Sequence, residues 1–520
     1  MLSREDQLKQ LKEDTIWDIT IIGGGATGLG AAVDAASRGY KVLLLEKYDF
    51  AKGTSSKSTK LVHGGVRYLA NGDIKLVIAA LRERGLLFKN APHVSSVQSF
   101  IIPVYSLFSK VKYLAGLKIY DWLAGSLRIG ASKLLSKADV LARLPHIKSE
   151  GLQGGIIYYD GQFDDARLAI NLAQTAIEQQ ATVLNYVEAV QITKDSLGKI
   201  TGLISRDTVT GTTYTIQSKS VINATGIFVD DILKLDQENH KNLVRPSQGS
   251  HIVIDQKFLA GNDALMIPET SDGRVLFGVP WHGKVLLGTT DIPIDQHSIE
   301  PKPMAEEIQF ILDTAAAYLN PAPQRKDILS IYAGLRPLAA PTGPNSSSTK
   351  EISRDHKLIK SESNLITITG GKWTTYRKMA EECIDLAIKV ANLSVKACVT
   401  KDLPIHGYSK NPNLVAWNSY GKDYESIIQL QQAHPEWKQP LIEGYPYTLA
   451  EVVWACRNEY IVKVEDFLAR RTRLLLLDAK ASRIASLQVA EIMAQELGKS
   501  AEWINQEVKE YKELTDNYIL

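Results

Sequence analysis

The sequence predicts an α/β protein with a Rossmann-type nucleotide-binding domain, a second domain with a mixed sheet, and a helical C-terminal cap. Three patterns lead to this prediction. A strand, a glycine-rich turn, a helix and a second strand follow one another from Asp18 to Glu46. A strand-like pattern runs from Val244 to Asp291, and helix-forming residues dominate after residue 408. Alternating strands and helices are typical of α/β folds, whereas a run of helix formers indicates a separate helical unit.

The length and composition indicate an ordinary folded protein of more than one domain. The chain has 520 residues, of which 44% are hydrophobic and 23% charged. One hydrophobic core rarely organises so long a chain. The formal net charge is +2, from 60 basic and 58 acidic residues. This balance argues against a nucleic-acid partner.

The cysteines and the first residues predict a cytoplasmic protein. Cys383, Cys398 and Cys456 are far apart and form no CxxC pair, so we expect neither a disulfide framework nor a bound metal. The first 17 residues are charged throughout, which argues against a secretion signal. No uninterrupted apolar run is long enough for a transmembrane helix. Any membrane contact is therefore expected to be peripheral.

The turn after the first strand carries a G-x-G-x-x-G motif formed by Gly23, Gly25 and Gly28. The first glycine permits a tight turn, the second lets the backbone approach a pyrophosphate, and the third lets the helix pack on the strand. Unpaired N–H groups at the helix N-terminus then favour phosphate. Glu46 ends the second strand, where a carboxylate accepts hydrogen bonds from ribose hydroxyls and repels a 2′-phosphate. The segment therefore predicts a bound nucleotide other than NADP.

A loop rich in hydroxyl groups and glycine, GTSSKSTKLVHGGVRYL at 53–69, follows this unit. Thr54, Ser55 and Ser56 offer donors for phosphate oxygens, and Gly64, the first of a glycine pair, would let the backbone lie close to a flat ring. The loop therefore favours FAD over NAD. A solvated, flexible loop is the alternative, but the apolar residues inside the segment argue against it.

These motifs and several later segments resemble the flavin-dependent glycerol-3-phosphate dehydrogenases, members of the D-amino-acid-oxidase-like group of flavoproteins. HGGVRYL and GGKWTTYR together are specific to this family. The segments, in the family's order, are IIGGGATGLG (21–30), TSSKSTKLVHGGVRYL (54–69), FDDARL (163–168), INATG (222–226), GSHIVI (249–254), LLGTTD (286–291), AGLRPL (333–338), SRDH (353–356) and TGGKWTTYRKMAE (369–381). The resemblance implies FAD as cofactor and oxidation of sn-glycerol 3-phosphate to dihydroxyacetone phosphate.

Two later segments are expected to complete the cofactor site. SVINATGIF (220–228) has the pattern of a buried strand ending in small residues, which suits backbone that passes an adenine or ribose. LITITGGKWTTYRKM (365–379) predicts a strand, a glycine pair and a helix N-terminus that would stabilise negative charge on a reduced flavin. With the resemblance, the expected cofactor residues are Gly23, Gly25, Gly28, Glu46, Thr54, Ser55, Ser56, Lys60, Leu61, His63, Gly64, Ala224, Gly226, Gly371, Lys372 and Thr374.

A phosphorylated substrate needs cations, and arginine suits a phosphate because it binds two oxygens at once. The candidates are Arg336 in AGLRPL, Arg354 in SRDH, Arg67 in HGGVRYL, and Lys372 directly after the late glycine pair. A single exposed arginine is usually only a solvated charge, so their joint assignment depends largely on the resemblance. Tyr68 is either a hydrogen-bond partner of the substrate or a packed aromatic.

Hydride transfer from C2 of the substrate leaves a hydroxyl proton to remove, and histidine is the side chain whose pKa lies nearest working pH. His63, in the loop expected against the flavin, is the first choice as base. His251, in GSHIVI, either shares this task, orients the substrate or has only a structural role. Together with Arg336 and Lys372, these histidines form the expected catalytic set.

The adjacent carboxylates of FDDARL are expected to be structural. Asp164 or Asp165 precedes a helical pattern, and aspartate is a favoured N-cap residue. We assign them no chemistry.

The FAD-binding domain is expected to be discontinuous. It would comprise residues 15–90, 150–245 and 340–395, with a substrate-binding domain at 91–149 and 246–339 and the helical cap at 400–520. The cap contains RRTRLLLLD, which resembles the family less closely than the core segments do.

The segment 109–137 predicts contact with the inner face of a membrane, where electrons would pass to a quinone. Its charge is +5, from Lys110, Lys112, Lys118, Arg128, Lys133 and Lys137 against the single acid Asp121. A stripe at helical spacing, as in interfacial amphipathic helices, is formed by Leu114, Leu117, Tyr120, Leu123 and Leu127, with Trp122 beside it. The alternative is that this stripe packs on the substrate domain.

Several alternatives stay open. An oxidase that reduces O2 to hydrogen peroxide shares the site motifs, although the insertion often found in related oxidases is not recognisable here. An amine oxidase is disfavoured by the cations. A nucleotide-binding interaction protein without turnover is the alternative from another class. The sequence leaves open a homodimer, the electron acceptor and covalent attachment of FAD.

Overall fold

The computed structural model describes residues 3–12, 15–66, 69, 73–270, 273–339, 356–409 and 419–520. Three of the expected substrate residues, Arg67, Tyr68 and Arg354, lie outside these ranges. The described residues form three sheets with helices around them, which confirms the predicted α/β class.

Twenty strands lie within the described ranges. In chain order they are β1 Ile16–Trp17, β2 Ile19–Ile22, β3 Val42–Leu45, β4 Leu61–Val62, β5 Ser95–Val104, β6 Lys133–Leu135, β7 Gly154–Phe163, β8 Thr182–Leu184, β9 Val187–Lys194, β10 Ile200–Asp207, β11 Thr213–Ser218, β12 Val221–Asn223, β13 Val244–Asp255, β14 Ala264–Ile267, β15 Leu276–Trp281, β16 Lys284–Gly288, β17 Ile292–Pro293, β18 Ile328–Ala339, β19 His356–Lys360 and β20 Ile366–Gly370.

The same ranges contain fourteen α-helices. They are α1 Arg4–Gln10, α2 Ala26–Ser37, α3 Ile74–Asn90, α4 Leu107–Leu123, α5 Lys137–Arg143, α6 Asp165–Glu178, α7 Val229–Asp236, α8 Ala305–Tyr318, α9 Tyr376–Val390, α10 Asp423–Ala433, α11 Leu449–Asn458, α12 Leu474–Leu477, α13 Ala479–Leu497 and α14 Ala501–Thr515. A π-helix, Asp466–Arg471, lies between α11 and α12.

The nucleotide sheet has six strands in the order β19-β20-β12-β2-β3-β8. All are parallel except β19, which pairs antiparallel at one edge. β2 and β3 consist entirely of buried residues, as expected for parallel strands covered on both faces. Helix α2 packs against both α6 and α9, and Gly30 allows its close approach to Tyr376 of α9. The predicted Rossmann-type unit is confirmed.

A small sheet, β1-β11-β10-β9, shares a core with the nucleotide sheet. β9, β10 and β11 are antiparallel, and β1 runs parallel to β11. Leu203 and Ile216 of this sheet pack with Leu43 and Leu45 of β3. The small sheet therefore extends the nucleotide half of the molecule.

The large sheet contains the strands β17-β13-β16-β15-β14-β5-β7-β4, with β18 paired to β13 and β6 to β7. β7 pairs along its whole length with β5, from Gly154 opposite Val104 to Phe163 opposite Ser95. We expected residues 154–163 and the strand at 61–62 in the FAD-binding domain, but by strand pairing both belong to the large sheet. The pattern within a segment does not predict this pairing, because the paired strands come from segments that are distant in the chain. The other predicted domain limits stay predictions.

The residues after 419 form the predicted helical region. Its helices pack on the large sheet, where Val253 and Leu286 share a core with Val452, Phe467 and Leu475. The cap is therefore joined to the sheet by a continuous apolar interface rather than by a linker alone.

The first part of segment 109–137, up to Leu123, forms the predicted helix, but the centre of the expected stripe faces inward, while Leu127 lies beyond the helix and is exposed. Leu117 and Tyr120 are buried in the protein body, so the alternative of packing on the substrate domain holds for these residues. The opposite face of α4 exposes other apolar side chains, with Phe108 79%, Val111 70% and Trp122 78% exposed. In the described ranges, no helix is long and apolar enough to cross a membrane.

Candidate active site

A cavity of about 760 Å³ lies between the nucleotide sheet and the large sheet. Its size is within the usual range of ligand and cofactor sites. The expected site residues that line it are Gly23, Gly25, Glu46, Thr54, Ser55, Leu61, His63, Ala224, Gly226, His251, Arg336, Gly371, Lys372 and Thr374. Segments that are distant in sequence thus meet at one cavity.

The glycine turn between β2 and α2 has the conformation that its motif predicts. Gly23 has a φ of +113°, and a Cβ atom there would lie 2.7 Å from the carbonyl oxygen of Ala224. A Cβ atom at Gly28 would lie 1.9 Å from the carbonyl oxygen of Gly23. Gly28 therefore packs behind the turn, while Gly23 and Gly25 line the cavity. Backbone rather than side chains shapes this part of the site.

Glu46 follows β3 and lines the cavity, as predicted. Its Oε2 accepts a hydrogen bond from the N–H of Gly24 at 2.6 Å, and its Oε1 accepts one from Tyr48 at 2.8 Å. Burial raises the pKa of Glu46, although these two hydrogen bonds act in the opposite direction. The carboxylate thus braces the glycine turn, a role that its position in sequence does not reveal. Its contact with a ribose stays a prediction.

The hydroxyl residues of the loop after Gly53 connect three parts of the site. Ser55 Oγ accepts a hydrogen bond from the N–H of Ala26 at 2.9 Å, at the start of α2. The Ser55 carbonyl accepts one from Trp373 Nε1 at 2.8 Å, and Thr54 donates to the carbonyl of Leu335 in β18 at 2.6 Å. The expected meeting of the early and late segments is confirmed.

Three further expected cofactor residues, all in the loop after Gly53, do not line the cavity. Ser56 and Lys60 are buried, and Lys60 Nζ donates to the Ser56 carbonyl and to Asp165 Oδ2, both at 2.7 Å. The N–H of Gly64 donates to Tyr120 Oη at 2.7 Å, and a Cβ atom at Gly64 would lie 2.5 Å from that oxygen. These residues hold the loop in place. The buried Lys60 ammonium group needs a carboxylate partner, and Asp165 supplies it.

The two later cofactor segments end side by side, since β12 and β20 are neighbours. Ala224 and Gly226 follow β12, and the Gly226 carbonyl accepts a hydrogen bond from Thr369 of β20 at 3.3 Å. Gly371 has a φ of +72°, and a Cβ atom there would lie 2.4 Å from the sulfur of Met379. Only glycine therefore allows the chain to turn back from β20 along the cavity.

His63 and Lys372 are far apart in the sequence, and both line the cavity. The N–H of His63 donates to Thr374 Oγ1 at 3.2 Å, which places the end of β4 next to the turn before α9. Lys372 directly precedes this turn and also lines the cavity. Both residues are half-buried. Both line the cavity, although the Nζ atom of Lys372 is itself buried in its wall.

The pairing of β13 with β18 brings the other two expected catalytic residues together. Its register sets three pairs opposite each other, namely Ser247 with Arg336, Gly249 with Gly334, and His251 with Tyr332. Opposed residues of an antiparallel pair share a face, and every second residue of a strand lies on it. Arg336 and His251 therefore face the same side, and the two glycines between them leave room for the Arg336 guanidinium over Gly249 and for Lys57 over Gly334.

The Arg336 guanidinium is held by acceptors near the end of β16. Nη1 donates to Asp291 Oδ1 at 3.2 Å, and Nη2 donates to Thr289 Oγ1 at 3.1 Å and to the Thr290 carbonyl at 3.0 Å. A Cβ atom at Gly249 would lie 2.2 Å from Nη2. The side chain is still 26% exposed, so a guanidinium of fixed orientation faces the cavity.

His251 is held more tightly than His63. Its Nε2 is 2.9 Å from Thr59 Oγ1, and its ring stacks on Tyr332 with centroids 4.7 Å apart and planes at 9°. Burial, together with the positive charges of Lys60 and Arg336, holds the pKa of His251 well below its usual value. Its Nδ1 is buried and has no hydrogen-bond partner within the described part of the chain. His251 is therefore a neutral ring with little polar surface toward the cavity.

Some residues of the site were not singled out from the sequence. Thr59 and Asp291 lie inside the quoted motifs TSSKST and LLGTTD, so closer attention to those motifs would have found them. For Tyr332 the sequence offers one indication: it lies four residues before Arg336 in a strand, so both side chains are on the same face. The N-cap prediction for FDDARL is confirmed for Asp164, whose Oδ1 accepts from the N–H of Arg167 at 3.0 Å. Asp165 has other contacts.

Comparison with protein families now adds to this geometry. Residues 18–375 match the family model described as FAD dependent oxidoreductase, and residues 364–504 match the one described as the C-terminal domain of alpha-glycerophosphate oxidase. The chain therefore belongs to the FAD-dependent oxidoreductases.

Individual relatives narrow the assignment. A probable mitochondrial glycerol-3-phosphate dehydrogenase of Dictyostelium discoideum is 40% identical over 96% of this chain and 84% of its own. The mitochondrial glycerol-3-phosphate dehydrogenase of Saccharomyces cerevisiae is 38% identical over 96% of this chain and 90% of its own. The structure of the Bacillus halodurans glycerol-3-phosphate dehydrogenase complexed with FAD has a TM-score of 0.81 and 28% identity, covering 100% of this chain and 99% of that one. Within the oxidoreductases, the chain belongs to the FAD-dependent glycerol-3-phosphate dehydrogenases.

Proposed function

We propose that this protein oxidises sn-glycerol 3-phosphate to dihydroxyacetone phosphate with FAD as cofactor and passes the electrons to a membrane quinone. The observation that carries the proposal is the joint position of Arg336, His63 and Lys372 on one cavity that also contains the glycine turn. A guanidinium for phosphate, a histidine for proton transfer and a nucleotide cradle are the parts that this reaction needs.

The nucleotide side of the cavity fits FAD. Helix α2 begins there after Gly25, which has no side chain to cap it. Ser55 Oγ accepts from the first N–H group, that of Ala26, and the N–H groups that follow in the first turn are available to a pyrophosphate. The backbone contacts of Gly23 and Gly28 leave no room for a Cβ atom, as a closely approached cofactor requires. Gly23 to Gly25 would hold the pyrophosphate, Glu46 a ribose, and Gly371 to Thr374 the flavin ring.

Each residue facing the substrate has a defined task. Arg336 binds the phosphate, because its guanidinium is fixed from behind by Asp291 and the backbone. Lys372 adds a second cation on the cavity wall. FAD held by these residues would supply the acceptor for the hydride that leaves C2 of the substrate. His63 takes the proton of the C2 hydroxyl on a ring nitrogen, so that loss of a hydride and a proton leaves the ketone.

Between the two histidines, the geometry favours His63 as the base. His63 is half-buried and lines the cavity, whereas His251 is only 2% exposed and directs Nε2 to Thr59. A base must reach the proton that it removes. We therefore assign His251 to orienting the substrate rather than to accepting its proton. Arg67, Tyr68 and Arg354 stay expectations from the sequence, since they lie outside the described residues.

Anaerobic mixing of the purified protein with glycerol 3-phosphate tests the proposal. Loss of the visible absorbance of oxidised flavin is the expected result, with unphosphorylated glycerol as the control that should leave it nearly unchanged. A flavin that glycerol 3-phosphate does not reduce would overturn the proposed reaction.

The quinone as acceptor is supported by the exposed face of α4. Phe108, Val111 and Trp122 form one side of this helix. Lys112, four residues after Phe108, and Lys118, four residues before Trp122, lie beside them. Apolar side chains framed by lysines suit the interface of an anionic membrane. Docking through this face would keep the protein on the inner, cytoplasmic side of the membrane. A homodimer is compatible with this arrangement.

Flotation with anionic vesicles tests the membrane contact. The protein should float with the vesicles at low salt and less at high salt, because charge attraction is screened. A variant with Phe108→Ser and Trp122→Ser should stay at the bottom. Leu197→Ser removes a side chain that is 82% exposed elsewhere and is the matched control. Equal flotation of both variants would contradict docking through α4.

The oxidase remains the second candidate, and the acceptor decides between the two. Protein reduced by glycerol 3-phosphate should be reoxidised faster by a water-soluble quinone than by air-saturated buffer. Hydrogen peroxide formed in equal amount to dihydroxyacetone phosphate, at the same rate as with quinone, would favour the oxidase.

A further inference from the structure

Four buried charged residues lie behind the loop that carries Thr59. This group, which we call the Asp165 cluster, consists of Lys60, Asp164, Asp165 and Arg473. Asp165 Oδ2 is 2.7 Å from Lys60 Nζ, and its Oδ1 is 2.8 Å from Arg473 Nη2. Two carboxylates balance two cations, as buried charges require. The proposed reaction uses none of them directly.

The Asp165 carboxylate accepts five hydrogen bonds. Oδ2 accepts from Ser58 N at 3.1 Å, from Ser58 Oγ at 2.7 Å and from Lys60 Nζ at 2.7 Å. Oδ1 accepts from Ala166 N and from Arg473 Nη2, both at 2.8 Å. Helix α6 already has Asp164 as its N-cap. Helix capping therefore does not explain the three hydrogen bonds that Asp165 accepts from Ser58 and Lys60, which belong to another loop.

Ser58 and its neighbour connect this cluster to His251. The Ser58 carbonyl accepts a hydrogen bond from Tyr332 Oη at 3.1 Å, and Tyr332 stacks on the His251 ring. Thr59, the next residue, has its hydroxyl 2.9 Å from His251 Nε2. Both contacts that orient the ring thus depend on the position of a short segment that Asp165 fixes.

The helical C-terminal region supplies one member of the cluster. Arg473 follows the π-helix and has a φ of +67°, a conformation that side chains disfavour. Its Nη2 also donates to the Ser56 carbonyl at 2.8 Å, and its guanidinium lies 5.5 Å from the Trp281 ring centroid. Arg473, a residue of the cap, therefore donates hydrogen bonds both to Asp165 and to the loop that Asp165 contacts.

We propose that Asp165, held by Arg473 of the C-terminal region, is a positioning residue that sets the orientation of His251 through Ser58, Thr59 and Tyr332. The inference rests on the proposed oxidation of glycerol 3-phosphate. It gives the C-terminal region a role in the reaction although that region contributes no group to the cavity wall within the described residues.

Ser58→Ala and Arg473→Lys test this in the full-length, FAD-loaded protein. Ser58→Ala removes one hydrogen bond to Asp165 without touching helix α6. We expect flavin reduction at saturating glycerol 3-phosphate to slow by about 10- to 100-fold, since small displacements of an active-site group have effects of this size. The substrate concentration for half-maximal rate should change much less. Ser58→Thr restores a hydroxyl and should recover most of the rate.

A spectroscopic readout separates positioning from general damage. The ¹⁵N resonances of His251, assigned with a His251→Gln variant, should move in Ser58→Ala and Arg473→Lys. Arg457→Lys is the matched control, because Arg457 belongs to the same region and forms a surface pair with Glu496 at 2.7 Å. It should change neither rate nor resonances. If Arg473→Lys does not fold, Ser58→Ala alone decides.

The possible failures are distinct. If glycerol 3-phosphate does not reduce the flavin of the unmodified protein, the proposed function fails and the His251 resonances still report on positioning. If the unmodified protein is reduced, while both variants match it in rate and in His251 resonances, the positioning role of Asp165 is overturned.

Discussion

The glycine turn and the β13–β18 strand pair line the same cavity but are built in different ways. In the turn, the decisive contacts are made by backbone atoms, between Gly28 and the carbonyl of Gly23 and between Gly23 and the carbonyl of Ala224. In the strand pair, Arg336 and His251 depend on side chains from other segments, namely Asp291 and Thr59. A local backbone motif is visible in sequence, whereas a network of distant side chains is not.

The two regions also differ in the charged residues that support them. Glu46 is a charged residue that braces the glycine turn, through the N–H group of Gly24, and its other oxygen accepts from the N–H group of Tyr48. The region around His251 rests on buried ion pairs, among them Lys60 with Asp165. Substitutions in the turn should therefore act on cofactor retention, and substitutions at the strand pair on the reaction with substrate.

Gly28→Ala should have the largest effect and act on the cofactor. Its Cβ would lie 1.9 Å from a backbone oxygen, a clash that no side-chain rotation relieves. We expect protein purified without flavin, measured by its visible absorbance. Gly116→Ala in α4 is the control, because nothing lies within 4 Å of its Cβ. Normal flavin content in Gly28→Ala would remove the distinction between the two regions.

His63→Asn should act on the reaction and spare the cofactor. Loss of a general base typically slows a reaction by about 10²- to 10⁴-fold. We expect FAD to stay bound while anaerobic flavin reduction slows by this factor, measured by stopped-flow absorbance. An undiminished rate, or a larger loss in His251→Asn, would transfer the role of base from His63.

Arg336→Ala should weaken the use of glycerol 3-phosphate more than that of glycerol. A charge-assisted contact with phosphate contributes roughly 1.5 to 3 kcal/mol, about 10- to 150-fold in kcat/KM. Steady-state kinetics with both substrates measure the difference. Equal losses on the two substrates would show that Arg336 does not recognise the phosphate.

The smallest effect is expected at His406, which joins the nucleotide half to the C-terminal region. Burial lowers its pKa, but hydrogen bonds to Asp423 and Glu178 outweigh this and raise it to about 9. A raised pKa in the folded state stabilises the protein below the unfolded value near 6.5, and this contribution is lost as pH rises through about 9.

Thermal unfolding of a His406→Gln variant measures this contribution. At pH 6 the variant should be less stable than the unmodified protein by on the order of 1 kcal/mol, and the difference should shrink above pH 9. A difference independent of pH would mean that the charge of His406 plays no part.

Local sequence patterns predicted much of the fold and part of the site. The G-x-G-x-x-G motif, the order of strand and helix around it, and the N-cap in FDDARL depend on contacts within a few residues, and the structure contains them. The orientation of helix α4 was predicted less well. Two apolar stripes fit its sequence, and only packing decided that Leu117 turns inward while Trp122 stays exposed.

The sequence by itself determined the nucleotide-binding unit and the residue types that gather at the cavity, because both are written in short motifs with strict backbone requirements. Only the tertiary structure decided that Lys60 faces Asp165 rather than the cofactor, that β7 joins the large sheet, and that Arg473 reaches the loop before β4. The physical reason is that a buried charge takes the partner that folding brings to it. That partner is distant in the chain, 105 residues away for Lys60 and Asp165 and 417 for Ser56 and Arg473.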